Sequence, residues 1–316
     1  MNEIKSRLES NSIAVLGECM LELSLQPLLN SQSSVPATFA FGGDTLNMSV
    51  YMARLGTPVE YVTALGDDKS SEWLKQRWQA EGVGSKHVIA CANQSPGMYM
   101  IELDQHGERS FKYWRSNSPA SKIFDDAEQA KTIFKALSSF ETVFLSGISL
   151  AILKPEARVK LIEFLADYRD RGGRVAFDCN HRPNLWKDSY EAIDCYKKMY
   201  QITDIALPTF EDEQSLFGYK TPDEALDAIL LNGVPEVVLK MGERGCYFAH
   251  RGELGFVPVQ PVSVVDTTSA GDSFNAGYMS QRLSGASVEE SCKAGHRLAS
   301  TVVQHRGAII PLDAMP

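Results

Sequence analysis

The chain has 316 residues, of which 44% are hydrophobic and 22% are charged, a composition typical of soluble globular proteins and not of disordered ones. Its 31 Lys and Arg residues are outnumbered by 40 Asp and Glu residues, giving a formal net charge of −9, which argues against nucleic acid and anionic membrane surfaces as partners. Glu18 and Glu22 interrupt the most apolar early stretch, 13–25, so we expect neither a signal peptide nor a membrane span. A chain of this length buries roughly 75% of its unfolded surface, and one large domain is expected.

The six cysteines are scattered, with no C-x-x-C pair and no histidine at the spacing of a zinc site. Small disulfide-stabilised folds and zinc sites carry recognisable cysteine spacings, so we expect neither here. The sequence instead predicts reduced, mostly buried thiols and a cytoplasmic location. The residues concerned are Cys19, Cys91, Cys179, Cys195, Cys246 and Cys292.

Short apolar runs alternate with amphipathic patterns that end at glycine. Apolar strands that stop at small or acidic residues, separated by helices, are typical of a parallel sheet built from right-handed βαβ units. We therefore predict a doubly wound α/β sandwich with a mostly parallel central sheet. In chain order, the pattern predicts a strand at 12–16, helices at 45–55 and 72–81, a strand at 142–146, a helix at 155–171, and strands at 174–178, 205–208 and 236–240.

Residues 97–115 break this alternation. Two strand-like runs flank the turn sequence Asp-Gln-His-Gly at 104–107, which predicts a β-hairpin. A hairpin inserted into an α/β fold is expected to act as a lid, with its aromatic and cationic side chains facing a substrate. An ordinary edge hairpin is the alternative.

Residues 264–277 form a turn of small residues that leads into a helical pattern. Free amides at the first turn of that helix, uncovered at Ala270 and Gly271, would hold a negative charge, and the helix dipole adds attraction. Asp272 could accept a proton from a hydroxyl nucleophile while the amides hold phosphoryl oxygens. The alternative is that Asp272 only caps the helix.

Two further glycine-containing turns support a phosphoryl-transfer site. In the turn 42–47, Asp44 and Asn47 offer hydrogen bonds suited to sugar hydroxyls, and the turn 240–245 would bring Lys240 close to a nucleotide. The motifs of P-loop proteins, Rossmann dehydrogenases and α/β-hydrolases are absent from the sequence. Each turn alone is weak evidence for a phosphoryl-transfer site. Together, in this order and at this separation, the three turns are a specific signal.

With these segments in this order, the chain resembles the PfkB, or ribokinase-like, family of carbohydrate kinases over residues 11–314, after an N-terminal extension at 1–10. The diagnostic segments are Asp-Thr-x-x-Ala-Gly-Asp at 266–272 and Gly-Gly with a later Asn at 42–47. The resemblance implies a ribokinase-like fold with a small β-strand lid from about 18–41 and 97–115, and the use of ATP and Mg²⁺.

The same resemblance implies roles for individual residues. Asp272 would be the catalytic base, and the backbone at 269–272 would form the anion hole for the transferring phosphate, through Ser269, Ala270, Gly271 and Asp272. The ATP-binding residues implied are Asn180, Arg182, Lys240, Gly242, Gly245, Ser269 and Gly271.

Several segments resemble the members of this family that phosphorylate the C6 hydroxyl of a 2-keto-3-deoxy sugar acid. They are 17–20, 42–47, 113–115, 145–153, 178–186 and 306–311. An anionic substrate requires cations, and Arg115 and Arg182 are available for its carboxylate, although either arginine could instead form a surface salt bridge. A kinase for a neutral ketose such as fructose, and a non-catalytic sugar or nucleotide sensor, stay open as alternatives. The substrate contacts implied are Gly43, Asp44, Asn47, Tyr99, Tyr113, Arg115, Arg182 and Asp272.

One departure from the family concerns the metal. Where relatives carry Asn-x-x-Glu, this chain has Thr209 in place of Asn and Asp212 in place of Glu. We assign the metal shell to Asp212, while Glu211 or Glu213 could serve after a small shift, and all three could instead be a solvated helix start. The sequence leaves open whether a monovalent cation binds near 266–268 and whether the lid strands pair across a homodimer.

Overall fold

The computed structural model describes residues 9–25, 34, 36–103 and 109–316. Within these ranges the chain forms thirteen β-strands in two sheets and ten α-helices. The strands are β1 (Glu9–Leu16), β2 (Met20–Leu25), β3 (Ala37–Gly42), β4 (Val59–Gly66), β5 (Val88–Cys91), β6 (Gly97–Leu103), β7 (Arg109–Trp114), β8 (Phe140–Ser146), β9 (Arg174–Asp178), β10 (Ile205–Ala206), β11 (Glu236–Lys240), β12 (Cys246–His250) and β13 (Glu253–Val257). The helices are α1 (Asp44–Arg54), α2 (Lys69–Ala80), α3 (Ala127–Leu137), α4 (Gly147–Ala151), α5 (Pro155–Asp170), α6 (Ser189–Gln201), α7 (Phe210–Phe217), α8 (Pro222–Leu231), α9 (Ala270–Leu283) and α10 (Val288–Val302).

The larger sheet has nine strands in the order β13-β12-β11-β10-β9-β8-β1-β4-β5. All neighbouring pairs from β11 to β5 are parallel, whereas β12 is antiparallel to both β11 and β13. The predicted mostly parallel central sheet is therefore confirmed.

Helices cover both faces of this sheet. The side chains of β1 point alternately to the two faces, which shows why the second half of this strand, 13–16, is continuously apolar. Ile13 and Val15 pack into the core shared with α1, α2, α9 and α10. Ala14 and Leu16 point to the opposite core, which is shared with α3 to α8. A strand buried on two faces needs apolar residues at every position, and this arrangement is the predicted doubly wound sandwich.

Most predicted elements are present with shifted ends. The second predicted helix begins three residues early, at Lys69, because the Asp68 side chain caps it by accepting a hydrogen bond from the Ser71 amide at 2.8 Å. The predicted strand at 205–208 is only Ile205–Ala206, since Pro208 has no amide hydrogen for a sheet. All six cysteines are free and five are buried, as predicted. None of the described helices has the length and hydropathy of a membrane span.

The second sheet, here called the small sheet, has four strands in the order β3-β2-β6-β7. The predicted hairpin strands at 97–115 are confirmed as β6 and β7, which are antiparallel with Met98 opposite Trp114, while the predicted turn at 104–107 lies outside the described residues. Of the predicted N-terminal extension, residues 1–8 also lie outside them, and Glu9 already pairs with Phe140 in the larger sheet.

Candidate active site

A cleft of about 380 Å³ lies where the carboxyl ends of the central strands face the small sheet. It collects residues from distant parts of the sequence, and fourteen of the sixteen predicted site residues line it. They are Gly43, Asp44, Asn47, Tyr99, Tyr113, Arg115, Asn180, Arg182, Asp212, Lys240, Ser269, Ala270, Gly271 and Asp272.

The start of α9 forms one end of this cleft. The helix begins at Ala270, and its N-cap Ser269 has left-handed backbone geometry, with φ 64° and no capping hydrogen bond from its side chain. The amides of Gly271 and Asp272 have no hydrogen-bond partner among the described residues, so they can hold an anion. Asp272 is the third helical residue, and the alternative in which it is the N-cap is wrong.

The Asp272 carboxylate lies beside the N-terminus of α1. Its Oδ2 accepts a hydrogen bond from Asn47 Nδ2 at 2.9 Å. Burial and the negative charge of Asp44 raise the pKa of Asp272 to about 7, against the lowering effect of the Asn47 hydrogen bond. A carboxylate with a pKa near neutrality is suited to accept a proton at physiological pH.

The first turn of α1 presents polar groups to the cleft. Gly43 has φ 148°, and a Cβ at this position would collide with the Glu18 carbonyl oxygen, so glycine is required. Asp44 Oδ2 accepts a hydrogen bond from Asn180 Nδ2 at 2.7 Å. Asn47 Oδ1 is buried and has no partner among the described residues, which leaves an acceptor for a ligand hydroxyl.

The small sheet supplies the roof of the cleft with aromatic side chains. Tyr99 is buried, and its hydroxyl donates a hydrogen bond to Glu22. The rings of Tyr99 and Tyr113 lie 5.9 Å apart, and Phe111 stacks on Tyr113. Tyr113 and Phe111 are about half exposed, as expected for a roof with one outer face.

Arg115 follows β7 and forms a buried ion pair with Glu18. The second oxygen of Glu18 accepts a hydrogen bond from Ser118 Oγ, and burial raises the pKa of the Glu18 carboxyl despite the opposing charge of Arg115. A Cβ on Gly97 would lie 2.9 Å from Glu18 Oε1, so the glycine leaves room for the Glu18 side chain. Glu18 was not predicted as a site residue. The signal that the sequence offered for it was a charged residue just after a buried strand.

At the end of the cleft formed by the start of α9, Lys240 contacts two residues that sequence reasoning missed. Lys240 is buried, and its Nζ lies 3.3 Å from Asp178 Oδ2 and 3.0 Å from Asn275 Oδ1. Gly242 and Gly245 do not line the cleft, and their assignment to ATP stays a prediction. A Cβ on Gly245 would collide with the Val257 carbonyl oxygen, so close packing of its backbone against β13 already requires a glycine there.

Asp212 is the member of its acidic run that faces the cleft. Its carboxylate lies 3.4 Å from Arg182, and burial together with the charge of Asp178 raises its pKa to about 6. Glu211 pairs with Arg244 at the surface, and Glu213 is buried and accepts a hydrogen bond from Tyr200. Of the three acidic residues only Asp212 is among the described residues that line the cleft, and its assignment to the metal shell stays a prediction.

The donor set fits a magnesium ion bound together with phosphates. Asp178 Oδ1 is buried with no partner among the described residues, and Asp178 and Asp212 line the same cleft. No group of three or more His, Cys, Asp or Glu side chains able to hold a metal occurs among the described residues. Mg²⁺ commonly uses one or two carboxylates and completes its shell with water and substrate phosphates.

The turn before α9 is held by Asp266. Its Oδ1 accepts hydrogen bonds from the Thr268 amide and hydroxyl at 3.1 and 2.7 Å, and its Oδ2 accepts one from the Gly307 amide at 2.7 Å. The first aspartate of the 266–272 motif therefore fixes the path of the chain into the helix start.

Comparison with known proteins places this site in a family. The profile of the pfkB family carbohydrate kinases matches residues 10–315. The 2-dehydro-3-deoxygluconokinase of Escherichia coli (strain K12) is 45% identical over 316 residues, covering 97% of this chain and 99% of the relative.

Solved structures agree on the fold. The structure of a PfkB protein from Polaromonas sp. JS666 superposes with a TM-score of 0.80 at 27% identity, covering 93% of this chain and 96% of that one. A putative ribokinase II from E. coli in complex with ATP and Mg²⁺ gives a TM-score of 0.81 at 22% identity, covering 98% and 96%. Because the family profile and a relative of high identity both extend over nearly the whole sequence, this chain belongs to the pfkB family of carbohydrate kinases.

Proposed function

We propose that this kinase transfers the γ-phosphoryl group of ATP to the C6 hydroxyl of 2-keto-3-deoxy-D-gluconate, giving 2-keto-3-deoxy-6-phosphogluconate and ADP. The observation that carries the proposal is the placement of Asp272 beside unpartnered helix amides in a cleft whose roof carries Arg115. The E. coli relative, which is named for this substrate, supports the choice of sugar acid.

In the proposed reaction, Asp272 accepts the proton of the C6 hydroxyl as that oxygen bonds to the γ-phosphorus and the bond to the β-phosphate oxygen breaks. The amides of Gly271 and Asp272 hold the phosphoryl oxygens, where negative charge is concentrated. General-base assistance of this kind contributes about 10²- to 10⁴-fold to the rate.

Asp178 and Asp212 would hold Mg²⁺ together with the nucleotide phosphates, and Lys240 adds a positive charge near the helix start. When bound, the ion neutralises phosphate charge. The putative ribokinase II with ATP and Mg²⁺ supports this use of cosubstrates within the fold.

The sugar acid would lie under the small sheet with its carboxylate toward Arg115. Glu18 holds the guanidinium through Nη2, and the buried Nε has no partner among the described residues, so a donor is left for the substrate. Asp44 and Asn47 are suited to the hydroxyls. Closure of the small sheet would exclude water and limit wasteful ATP hydrolysis.

One observation favours a second candidate, a kinase for a neutral ketose such as fructose. The charge of Arg115 is already balanced by Glu18, and a site with balanced charge does not require an anionic substrate. The two candidate functions give Arg115 different roles, because only an acidic substrate needs the guanidinium N–H donors that Glu18 leaves free.

The test measures kcat/KM for 2-keto-3-deoxygluconate, gluconate, fructose and ribose on the wild type, Arg115→Ala and Arg182→Ala. We expect the keto-deoxy acid to be the best wild-type substrate, and Arg115→Ala to weaken its use by about 10- to 100-fold, the value of one charge-assisted hydrogen bond, with little effect on neutral sugars. Arg182→Ala is the comparison, since a contact with the nucleotide phosphates would lower all substrates together. If fructose or ribose were the best substrate, the neutral-ketose kinase would replace this proposal. Absence of ADP release with every sugar would favour the sensor.

A further inference from the structure

A buried amide behind the phosphate-binding end of the cleft has no role in the reaction described so far. Asn275 lies on α9, one turn after Gly271, and is 2% exposed. It is not among the described residues that line the cleft. Its side chain nevertheless contacts two residues that do line it, Asp178 and Lys240.

Both ends of the Asn275 amide are used in these contacts. Nδ2 donates to Asp178 Oδ2 at 2.7 Å, and Oδ1 accepts from Lys240 Nζ at 3.0 Å. Lys240 Nζ also lies 3.3 Å from the same Asp178 oxygen, so the three side chains form a closed triangle. An amide can donate to a carboxylate and accept from an ammonium without adding a charge, which a second carboxylate or a second cation cannot do.

This triangle determines what Asp178 and Lys240 offer to a ligand. Because Oδ2 of Asp178 is engaged, Oδ1 is left buried and without a partner among the described residues. Lys240 Nζ is held close to the start of α9, where a Cβ built on Gly271 would lie 3.7 Å from it. One amide therefore fixes both the carboxylate oxygen open to a cation and the ammonium beside the unpartnered amides.

We infer that Asn275 is a positioning residue that orients Asp178 and Lys240 for the nucleotide phosphates and their Mg²⁺ without touching either. The inference rests on the proposed nucleotide site but not on the identity of the sugar.

The experiment measures ADP binding to the full chain by isothermal titration calorimetry, in Mg²⁺ and in EDTA. Asn275→Leu keeps the size of the side chain and removes both hydrogen bonds. Asn275→Asp is nearly isosteric, keeps the acceptor for Lys240 and places a second carboxylate against Asp178, so it decides the question if the Leu variant does not fold. Tyr278→Phe on the same helix is the matched control, because it removes a buried hydrogen bond to Glu236 of 2.6 Å outside the cleft.

We expect both Asn275 variants to bind ADP about 10- to 100-fold more weakly in Mg²⁺, the usual effect of losing a residue that orients metal ligands, with a smaller loss in EDTA and an unchanged KM for the sugar. The control should melt at a lower temperature and bind ADP like the wild type. Wild-type affinity in the Asn275 variants, a loss of equal size in EDTA, or an equal loss in the control would overturn the inference. If the wild type bound no Mg·ADP, the proposed nucleotide site would be wrong and the inference would fall with it.

Discussion

Asn47 and Asp272 stand 225 positions apart in the sequence and are joined by a hydrogen bond of 2.9 Å from Asn47 Nδ2 to Asp272 Oδ2. The bond connects the first turn of α1 to the first turn of α9. Asp44, three residues before Asn47, raises the pKa of the same carboxyl. The start of α1 therefore both orients and tunes the carboxylate at the end of the cleft.

Replacing Asp272 with Asn preserves the size of the side chain and removes the proposed proton acceptor. We expect turnover to fall by at least ~100-fold, the lower end of general-base contributions, while ADP binding changes little. Steady-state kinetics and calorimetry on the same preparation check both parts. Near-normal turnover in this variant would show that the carboxylate is structural.

The raised pKa of Asp272 predicts the pH dependence of the reaction. In the proposed reaction the ionised carboxylate is the active form, so kcat/KM should fall about tenfold per pH unit below pH 7, the pKa that burial and Asp44 give this carboxyl. Asp44→Asn removes the neighbouring negative charge and should move the midpoint of the profile to lower pH, whatever its effect on sugar binding. A profile that is flat through neutrality would contradict this.

Much of this arrangement could be predicted from the sequence, because parallel strands place their carboxyl ends, and the polar residues after them, along one edge of the sheet. The helix start at 270–272 is a local pattern of small residues and was recognised as such. Glu18 and Asn275 were not recognised, because their roles depend on partners that are distant in the sequence. Ser118 is 100 positions from Glu18, and the two partners of Asn275 are 35 and 97 positions away. Side-chain pairing between distant segments leaves no local pattern to detect.

The same raised pKa has a consequence for folding. The carboxyl of Asp272 has an ordinary value of 3.8 and a folded value of about 7, so ionising it is less favourable in the folded chain than in the unfolded one. The penalty is absent below the ordinary value and fully present above pH 7. Asp272→Asn should therefore raise the melting temperature relative to wild type above pH 7, and this gain should vanish in acid. An equal difference in melting temperature above pH 7 and in acid would argue against the raised pKa of Asp272.

Gly271→Val tests the amides at the start of α9. A Cβ at this position meets only Lys240 Nζ, at 3.7 Å, so the fold should tolerate the substitution, but a branched side chain would obstruct the anion site. We expect turnover to collapse with little change in melting temperature, and Gly271→Ala, the smaller control, to retain more activity. Normal rates in the Val variant would place the phosphate elsewhere.

The buried pair of Glu18 and Arg115 should behave as a unit in a double-mutant cycle. Removing one partner leaves an unpaired buried charge, a change that costs about 3 to 5 kcal/mol in folding free energy. Glu18→Ala should thus destabilise the chain strongly, and adding Arg115→Ala should recover part of the loss. Chemical denaturation of the two single variants and the double variant measures this coupling, and additive effects would show that the pair is not energetically linked.

The small sheet is built from two chain segments that β4, β5 and the helices α1 and α2 separate in the sequence. The strand pairing that joins these segments is that of β2 with β6, with Met20 opposite Gly97. A two-stranded hairpin is at best marginally stable in water, and Phe111, Tyr113 and Trp114 are about half exposed. We therefore expect the two halves of the small sheet to separate while the central sheet stays folded. Amide hydrogen exchange in this region should proceed by local opening, at a lower free energy than in β1 or β8. The small sheet, which covers the cleft, is then expected to open at a lower free energy than the central sheet, and the proposed substrates would enter and leave beneath it.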